Sequence, residues 1–329
     1  MLKKPLLSPK LKSALSWILW TLVFQFVLIN ISAAIYAYRI SRVYDDGGYW
    51  GQNAQGNIFS KTWYLFRGPR FGKTFLYDQP TFPYDTVQFK TSNGINIDAW
   101  YSLTDSVQAK GTVILFHGAR SNKGMVIPEA SEFRTQGYNI LMVDFRSCGN
   151  SGGHVTTMGH SETEEVKLAF DFIRQKGEKN IYCWGRSMGA VAIARAISKN
   201  EINPKAVILE RPYLSLKTFL HARARNYKMP ESAQGSFAFL LTFWVGVERG
   251  FNGFSQKTTS YAKDIHCPVL MQWGKKDDEI LEFETTGIFA AIPGGKKKLV
   301  VYENGGNESL LNNDPGLWRG EVERFLARD

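Results

Sequence analysis

The chain has 329 residues, of which 44% are hydrophobic and 14% aromatic, and it carries a formal net charge of +10. This balance predicts one large or two small globular domains with a full core, and it excludes a disordered chain. The three cysteines are too few for a disulfide scaffold, and no Cys/His pair has the spacing of a zinc site. No metal and no other cofactor is therefore predicted.

The positive charge has two plausible uses. A basic surface is attracted to anionic lipid, whereas nucleic-acid binding would come with a basic helix, a zinc spacing or an aromatic-basic RNA motif. None of these motifs accompanies the charge. Membrane lipid is the expected charged partner and nucleic acid is not expected, although a solvated basic face explains any single lysine cluster.

The N-terminal segment predicts a membrane anchor. Four lysines within residues 1–12 precede a run that carries no charge until Arg39. Such a run is long enough to cross a bilayer as one helix, and the lysines before it favour a cytoplasmic N-terminus with the main domain on the other side. The alternative is a signal peptide cleaved at the small residues 32–34.

The expected organisation follows from this anchor and from the change in pattern after it. We expect a basic cytoplasmic tail at 1–13, a single transmembrane helix at 14–38 and a juxtamembrane connector at 39–84. A domain at 85–329 follows, with an inserted cap at about 211–262. The segment ahead of the anchor and the anchor itself are not expected to belong to the globular fold.

The pattern of the main domain is regular. Residues 86–90 and 95–103 predict a hairpin around a Ser-Asn-Gly turn. Six further apolar runs are typical of buried strands: 112–118, 138–145, 180–185, 205–210, 268–274 and 298–303. Helical segments lie between them, one beginning at a predicted capping box of Ser161 and Glu164 and the last at Asp314-Pro315. Strands alternating with helices predict a mostly parallel sheet covered on both faces, so the fold class is α/β.

The sequence Gly185-Arg186-Ser187-Met188-Gly189 stands between a predicted strand and a predicted helix. In this G-x-S-x-G pattern the two glycines allow a sharp, crowded turn that lifts the serine above the sheet edge. The flanking strand and the small-residue helix supply the context that the motif requires. Ser187 is therefore the candidate nucleophile.

With this motif the chain resembles the α/β-hydrolase fold superfamily, in particular its membrane-anchored serine hydrolases: esterases, lysophospholipases and serine aminopeptidases. The resemblance covers roughly residues 85–329. It rests on four motifs in the order those families show: HGAR (117–120), DFRSCGNSGG (144–153), GRSMG (185–189) and GKKDDEI (274–280).

The resemblance implies roles for several residues. Ser187 would be the nucleophile, and the backbone amides of Ala119 and Met188 would form the oxyanion hole that stabilises the tetrahedral intermediate. Asp277 would be the acid that orients the base. His117 is interpreted as a structural residue of its turn.

The histidine of the triad should follow the last strand, where the family commonly has Gly-Gly-His. Here the loop reads Gly305-Gly306-Asn307, so Asn307 occupies the histidine position. An amide has no pKa near neutrality and can neither take nor return the proton of the serine. Whether the chain is a working enzyme is therefore uncertain, although the family favours hydrolase activity.

Other residues could replace the missing base or nucleophile. His154 and His160 follow a turn at the same sheet edge and are the candidate substitutes. Cys148 is a weaker alternative nucleophile, because no neighbour in the sequence would lower its pKa.

The cap contains the apolar and aromatic stretch 237–254. It predicts either a lid over an acyl or lipid-like pocket, with possible contact to the membrane, or a helix packed on the domain core. The stretch is too short and too often interrupted by charge for a second membrane span.

Three functional hypotheses remain. The first is a serine hydrolase of carboxylic esters or similar acyl substrates, impaired by Asn307. The second is a catalytically inactive hydrolase-like protein that binds ligands or partners at the membrane. The third is an active parent enzyme into which Asn307 was introduced, and under each hypothesis an ester substrate is not distinguished from a peptide.

Overall fold

The computed structural model describes residues 8–45, 59, 63 and 66–327. It begins with a helix of 32 residues, α1 (Pro9–Ile40), whose first turn is capped by the Ser8 side chain. Much of the predicted connector, including all of residues 46–58, lies outside the described residues, as do the first seven residues of the predicted tail.

The remaining elements follow in chain order. The strands are β1 (Val43–Tyr44), β2 (Phe71–Gly72), β3 (Asp85–Lys90), β4 (Asn96–Ser102), β5 (Thr112–Phe116), β6 (Asn139–Val143), β7 (Ile181–Arg186), β8 (Ala206–Glu210), β9 (Val269–Gly274) and β10 (Lys297–Tyr302). The helices are α2 (Ile127–Thr135), α3 (Thr163–Gln175), α4 (Met188–Ser198), α5 (Leu216–Asn226), α6 (Glu231–Arg249), α7 (Thr258–Ala262), α8 (Glu282–Ala291), α9 (Leu310–Asn313) and α10 (Pro315–Leu326).

Eight of these strands form one sheet, in the order β10-β9-β8-β7-β5-β6-β4-β3. The pairs from β10 to β6 are parallel, whereas β4 pairs antiparallel with both β6 and β3. The predicted mostly parallel sheet and its hairpin are confirmed. The separate pair β1-β2 is parallel and joins the end of α1 to the segment before the sheet.

The core lies on both faces of the sheet, because alternate residues of each central strand point to opposite sides. One face packs against α3, α4 and α8, with Ile114 and Ala192 fully buried. The other packs against α2 and α10, with Leu115 and Trp318 fully buried. Both faces of the central strands are thus removed from water, which explains why their sequences are apolar without alternation.

The two predicted helix starts have different outcomes. Asp314 accepts a hydrogen bond from the Leu317 amide at 2.9 Å ahead of Pro315, as predicted. The capping box predicted at Ser161 and Glu164 is wrong, since α3 begins at Thr163 without a side-chain cap. The Glu164 carboxylate instead accepts hydrogen bonds from Arg146 and from the Ser92 amide, which are long-range partners that the local pattern does not reveal.

The end of α1 belongs to the domain, so the expectation that the N-terminal segment stands outside the globular fold is wrong for its last two turns. Up to Ile29 the helix is exposed, but Tyr36 and Ala37 are fully buried. They share an apolar cluster with Phe219 of α5 and Leu241 of α6. The physical reason is that the cap presents an apolar surface that the helix end covers.

Candidate active site

The candidate site lies at the carboxyl edge of the parallel strands. Because parallel strands end at the same side of a sheet, the loops after β5, β7, β8, β9 and β10 meet there. These five loops carry the predicted oxyanion residue, nucleophile, cap, acid and base position respectively. The topology therefore brings the sequence-predicted residues to one edge.

Ser187 occupies the turn between β7 and α4. Its backbone has φ 51° and ψ −109°, a strained conformation for a residue with a side chain. Its amide donates to the Glu210 carbonyl at 2.8 Å, which holds the turn against β8. The turn thus has the form of a nucleophile elbow.

The two glycines of the motif are required by close packing. A Cβ on Gly189 would lie 2.3 Å from the Phe116 carbonyl oxygen, and a Cβ on Gly185 would lie 2.7 Å from the Ala190 amide nitrogen. Neither distance accommodates a carbon atom. The strand and helix can approach this closely only because both positions lack a side chain, and this approach lifts Ser187 to the edge.

The predicted oxyanion donors flank the serine. Met188 is the first residue of α4, so its amide has no acceptor within the helix. The Ala119 amide donates to no acceptor among the described residues. Gly118 lies beside the serine, since a Cβ built on it would be 3.6 Å from the Ser187 Cβ. Two backbone amides are thus available on either side of the candidate nucleophile.

His117 is a structural residue, as its position in the sequence suggested. The Phe145 amide donates to Nε2 at 3.1 Å, so Nδ1 carries the proton and donates to the Gly118 carbonyl at 2.7 Å. Burial lowers the pKa of this imidazole and keeps it neutral. Both ring nitrogens are engaged by backbone, which holds the loop that carries Ala119.

Asp277 lies at the position expected for the acid, in the loop after β9, and it is buried. Its Oδ1 accepts hydrogen bonds from the amides of Glu279 and Ile280 at 2.8 and 2.9 Å. Its Oδ2 accepts from Nε of Arg211 at 2.5 Å. Both oxygens of the candidate acid are therefore engaged, and one is bound to a cation.

Asn307 lies in the exposed loop after β10. Its carbonyl oxygen accepts a hydrogen bond from Nη1 of Arg211 at 2.5 Å. Its side-chain amide has no hydrogen-bond partner among the described residues. The acid and the base position are thus brought together, but through the guanidinium of Arg211 rather than through each other.

Sequence reasoning missed Arg211. It directly follows β8, is 4% exposed and adopts φ 51°, while its amide donates to the Gln272 carbonyl of β9 at 2.9 Å. The available signal was a charged residue immediately after the apolar strand 205–210, at the edge where the site forms. The predicted cap, 211–262, begins at this residue.

The alternative bases are held elsewhere. The ring of His160 stacks on Phe251, with ring centroids 4.2 Å apart, and its Nε2 accepts from Arg195 at 3.2 Å. Partial burial lowers the pKa of His160 to about 4. His154 is half-exposed and lies 3.6 Å from Asp45. None of the chain's five histidines, all within the described residues, forms a hydrogen bond with Ser187.

The fold agrees with that of known hydrolases. The esterase Pf2001 of Pyrococcus furiosus superposes with a TM-score of 0.63 at 23% identity, covering 78% of this chain and 97% of the esterase. The chain has the α/β-hydrolase fold. A family model described as serine aminopeptidase, S33, matches residues 107–237.

Curated sequences are similar to this chain over its main domain. The uncharacterized protein YqkD of Bacillus subtilis is 26% identical over 219 residues, covering 65% of this chain and 70% of that protein. The lysophosphatidylserine lipase ABHD12 of Macaca fascicularis is 24% identical over 211 residues, covering 60% of this chain and 48% of the lipase. This α/β-hydrolase-fold chain spans about half the length of those lipases.

Other ionisable groups near the serine of this α/β-hydrolase chain do not replace the base. Burial raises the pKa of Glu210 to about 7, although the nearby Arg186 guanidinium opposes this rise. Its neighbours are Arg186, Glu129 and Arg211, on the side of the sheet away from α4. Burial raises the pKa of the Cys148 thiol well above its ordinary value, so this cysteine is a poor nucleophile.

A small cavity of about 30 Å³ adjoins the two candidate oxyanion residues, Ala119 and Met188. Its apolar lining includes Ile40 at the end of α1, Phe71 of β2 and Phe219 of the cap. The lining fits an acyl group better than a polar one. At this size it holds no long chain, so a substrate larger than a short acyl group would have to displace the end of α1, β2 or the cap.

Proposed function

We propose that this chain binds carboxylic esters or similar acyl substrates at Ser187, and that its turnover is limited by the missing base at position 307. The observation that carries the proposal is the elbow: Ser187 with φ 51° between two glycines that admit no Cβ. Such strain is retained where a serine must be presented to a substrate. The fold relatives titled esterase and lipase support the ester class.

Replacing the serine by cysteine tests the site without needing a base. A thiol at the start of a helix is partly ionised near neutral pH and is intrinsically nucleophilic, so it can attack an ester without proton transfer to a histidine. We expect Ser187→Cys to release about one equivalent of p-nitrophenol from p-nitrophenyl butyrate. Mass spectrometry should locate the butyryl group on residue 187.

The controls are Ser187→Ala and Ser106→Cys, the second placing a thiol in an exposed loop of the same chain. Acylation of residue 187 no faster than that of residue 106 would reject the proposal. The full chain in detergent or nanodiscs is the material to use, because Tyr36 and Ala37 at the end of α1 are part of the core and a domain without them would expose their partners Phe219 and Leu241.

A second candidate function is a hydrolase-like binding protein that performs no chemistry. The observation that favours it is the closed acid edge, where Arg211 engages both Asp277 and Asn307. The two candidates differ in the cysteine experiment. A hydrolase-like protein that binds its ligand at another surface predicts no preferential acylation of residue 187.

We further propose that the chain is anchored in a membrane by α1 and that α6 of the cap lies against the lipid. A window of α1 has a mean hydropathy of 2.1, and this helix alone among the described residues meets the length and polarity of a span. Crossing the hydrocarbon core takes about 20 residues. A span beginning directly after Lys12 therefore includes Asn30, whose side chain accepts a hydrogen bond from the Trp244 indole of α6 at 3.3 Å.

The exposed face of α6 is suited to that position. Phe239, Phe243 and Val247 follow one another at helical spacing and are each about half-exposed. They lie on the helix that contacts the anchor. A bilayer that covers the anchor down to Asn30 would reach this stripe and shield it from water.

A fluorescent probe on the full chain tests this placement. With Cys267 replaced by serine, NBD attached at Phe243→Cys should emit at shorter wavelength in vesicles of phosphatidylcholine and phosphatidylglycerol, and doxyl lipids should quench it. Val107→Cys, exposed in the loop before β5 at the opposite edge of the sheet, is the control. Equal quenching at the two positions would reject the contact.

A further inference from the structure

Arg211 has the position and the contacts of a part of the site, although the family pattern gives it no role. Its guanidinium lies between the two loops that the triad histidine would join. Nε donates to Asp277 and Nη1 donates to the Asn307 carbonyl, each at 2.5 Å. The side chain is 5% exposed and that of Asp277 is fully buried, so this is a buried ion pair and not a surface contact.

Arg211 already holds the oxygen of the acid that is not taken up by the two backbone amides. Two backbone amides occupy Oδ1 of Asp277, and Arg211 occupies Oδ2. An imidazole introduced at position 307 would need one of these oxygens to accept its Nδ1 proton. The guanidinium occupies the space between Asp277 and residue 307, because it contacts both, and so it would block an imidazole at position 307.

The charge of Arg211 opposes base catalysis as well. The base becomes an imidazolium in the transition state, and the acid stabilises that cation. A guanidinium that already neutralises Asp277 removes this stabilisation and repels a second cation beside it. A histidine at position 307 would therefore have a lowered pKa and a weak hold on the proton of Ser187.

We propose that Arg211 replaces the triad histidine as the link between Asp277 and the loop at 307. While Arg211 is bound to Asp277, no single substitution at position 307 can restore hydrolase activity. This rests on the proposed function of Ser187. Two coordinated departures, Arg211 and Asn307, separate the chain from an active triad. The hypothesis that Asn307 alone was introduced into an active parent is then insufficient.

The test compares p-nitrophenyl butyrate hydrolysis by the full chain and by Asn307→His, Arg211→Ala and the double variant. We expect Asn307→His alone to raise kcat/KM by less than about tenfold. The double variant should exceed the unsubstituted chain by on the order of 10³-fold, the range that a triad member supplies. Adding Ser187→Ala to the double variant should abolish the gain.

The pH dependence of kcat/KM distinguishes an effect of Arg211 on the introduced histidine from an effect of Arg211 on folding alone. In the double variant the acidic limb of kcat/KM should turn near the ordinary histidine pKa of about 6.5, whereas Arg211 should hold it at lower pH in the single variant. Asn307→His with Arg195→Ala is the matched control, since it also removes a buried arginine but leaves Asp277 engaged. Arg211→Met, which keeps length without charge, replaces Arg211→Ala if thermal unfolding shows that the alanine variant is not folded.

Each outcome decides the proposal. A double variant that is at least about a hundredfold more active than Asn307→His supports it. Equal activity of the single and double variants overturns it. No gain in either, while Ser187→Cys is still acylated, overturns it and leaves the proposed function standing. No gain together with an unreactive Cys at 187 rejects the proposed function, and this proposal with it.

Discussion

The two halves of the candidate site differ in how they are built. At the Ser187 elbow, packing leaves space for nothing but glycine on either side, and the serine hydroxyl has no hydrogen-bond partner among the described residues. At the acid edge, by contrast, Asp277 is fully engaged and its partner Arg211 reaches the loop at Asn307. The nucleophile side is open and strained, while the acid side is closed and neutralised.

This difference teaches that the two halves of the candidate site are stabilised by different parts of the fold. The elbow is integral to the junction of β7 and α4, so its geometry also serves the packing of the core. The acid edge consists of loops that follow β8, β9 and β10, where a changed side chain can be satisfied by one new ion pair. A substitution in these loops can therefore be accommodated while the elbow stays unchanged.

The largest expected loss of stability comes from a substitution at the acid edge. Asp277→Asn leaves the buried Arg211 guanidinium without its counterion, which should lower the free energy of unfolding by about 3–5 kcal/mol. Glu303→Gln removes the carboxylate of the exposed pair with Lys275 and should leave the midpoint of unfolding nearly unchanged, because water screens that pair. Chemical denaturation of both variants in detergent compares them, and equal losses would mean that the Arg211 pair is not desolvated as described.

A smaller effect is expected at the elbow. Gly189→Ala places a Cβ against the Phe116 carbonyl, so we expect a loss of about 1–3 kcal/mol from the forced separation of β5 and α4. Gly235→Ala in α6 meets no atom within 4 Å and should gain up to about 1 kcal/mol from helix propensity. Thermal unfolding of the pair measures the contrast. A neutral Gly189→Ala variant would show that the elbow is less crowded than its contacts indicate.

The smallest expected effect is the change in the free energy of unfolding with pH that Glu210 causes. Glu210 ends β8, between the Ser187 elbow and the acid edge. Its folded-state pKa is raised to about 7 by burial, above the ordinary value of 4.5, so the folded protein holds this proton longer than the unfolded chain does. The stability contributed by that proton is full below about pH 4.5 and is lost as pH rises through 7.

We therefore expect Glu210→Gln, which is neutral at every pH, to remove a decline in stability on the order of 1 kcal/mol between pH 5 and pH 8. Unfolding curves of the unsubstituted chain and of the variant at both pH values measure it. Parallel pH profiles for the two proteins would show that Glu210 ionises normally in the fold.

Much of the fold could be predicted from the sequence, because it depends on local pattern. The apolar runs gave the strands of the large sheet to within one or two residues at most ends, and Asp314-Pro315 marked the start of α10. The capping box at Ser161 failed because Glu164 is recruited by Arg146, a partner 18 positions away in sequence. A local sequence pattern does not show that a residue distant in sequence competes for the Glu164 carboxylate.

The sequence by itself determined the fold class and the strand-turn-helix at Ser187, since both depend on residue types at fixed spacing along the chain. The tertiary structure decided two further matters. The end of α1 is part of the domain core, and Arg211 joins Asp277 to the loop at 307. Both depend on contacts between residues 66 or more positions apart in sequence, from Arg211 to Asp277 and to the Asn307 carbonyl, and from Asn30 to Trp244. These contacts contribute to stability because burying a charge costs free energy unless the charge is paired, and burying an apolar ring removes it from water. Which residue supplies the partner depends on the tertiary fold.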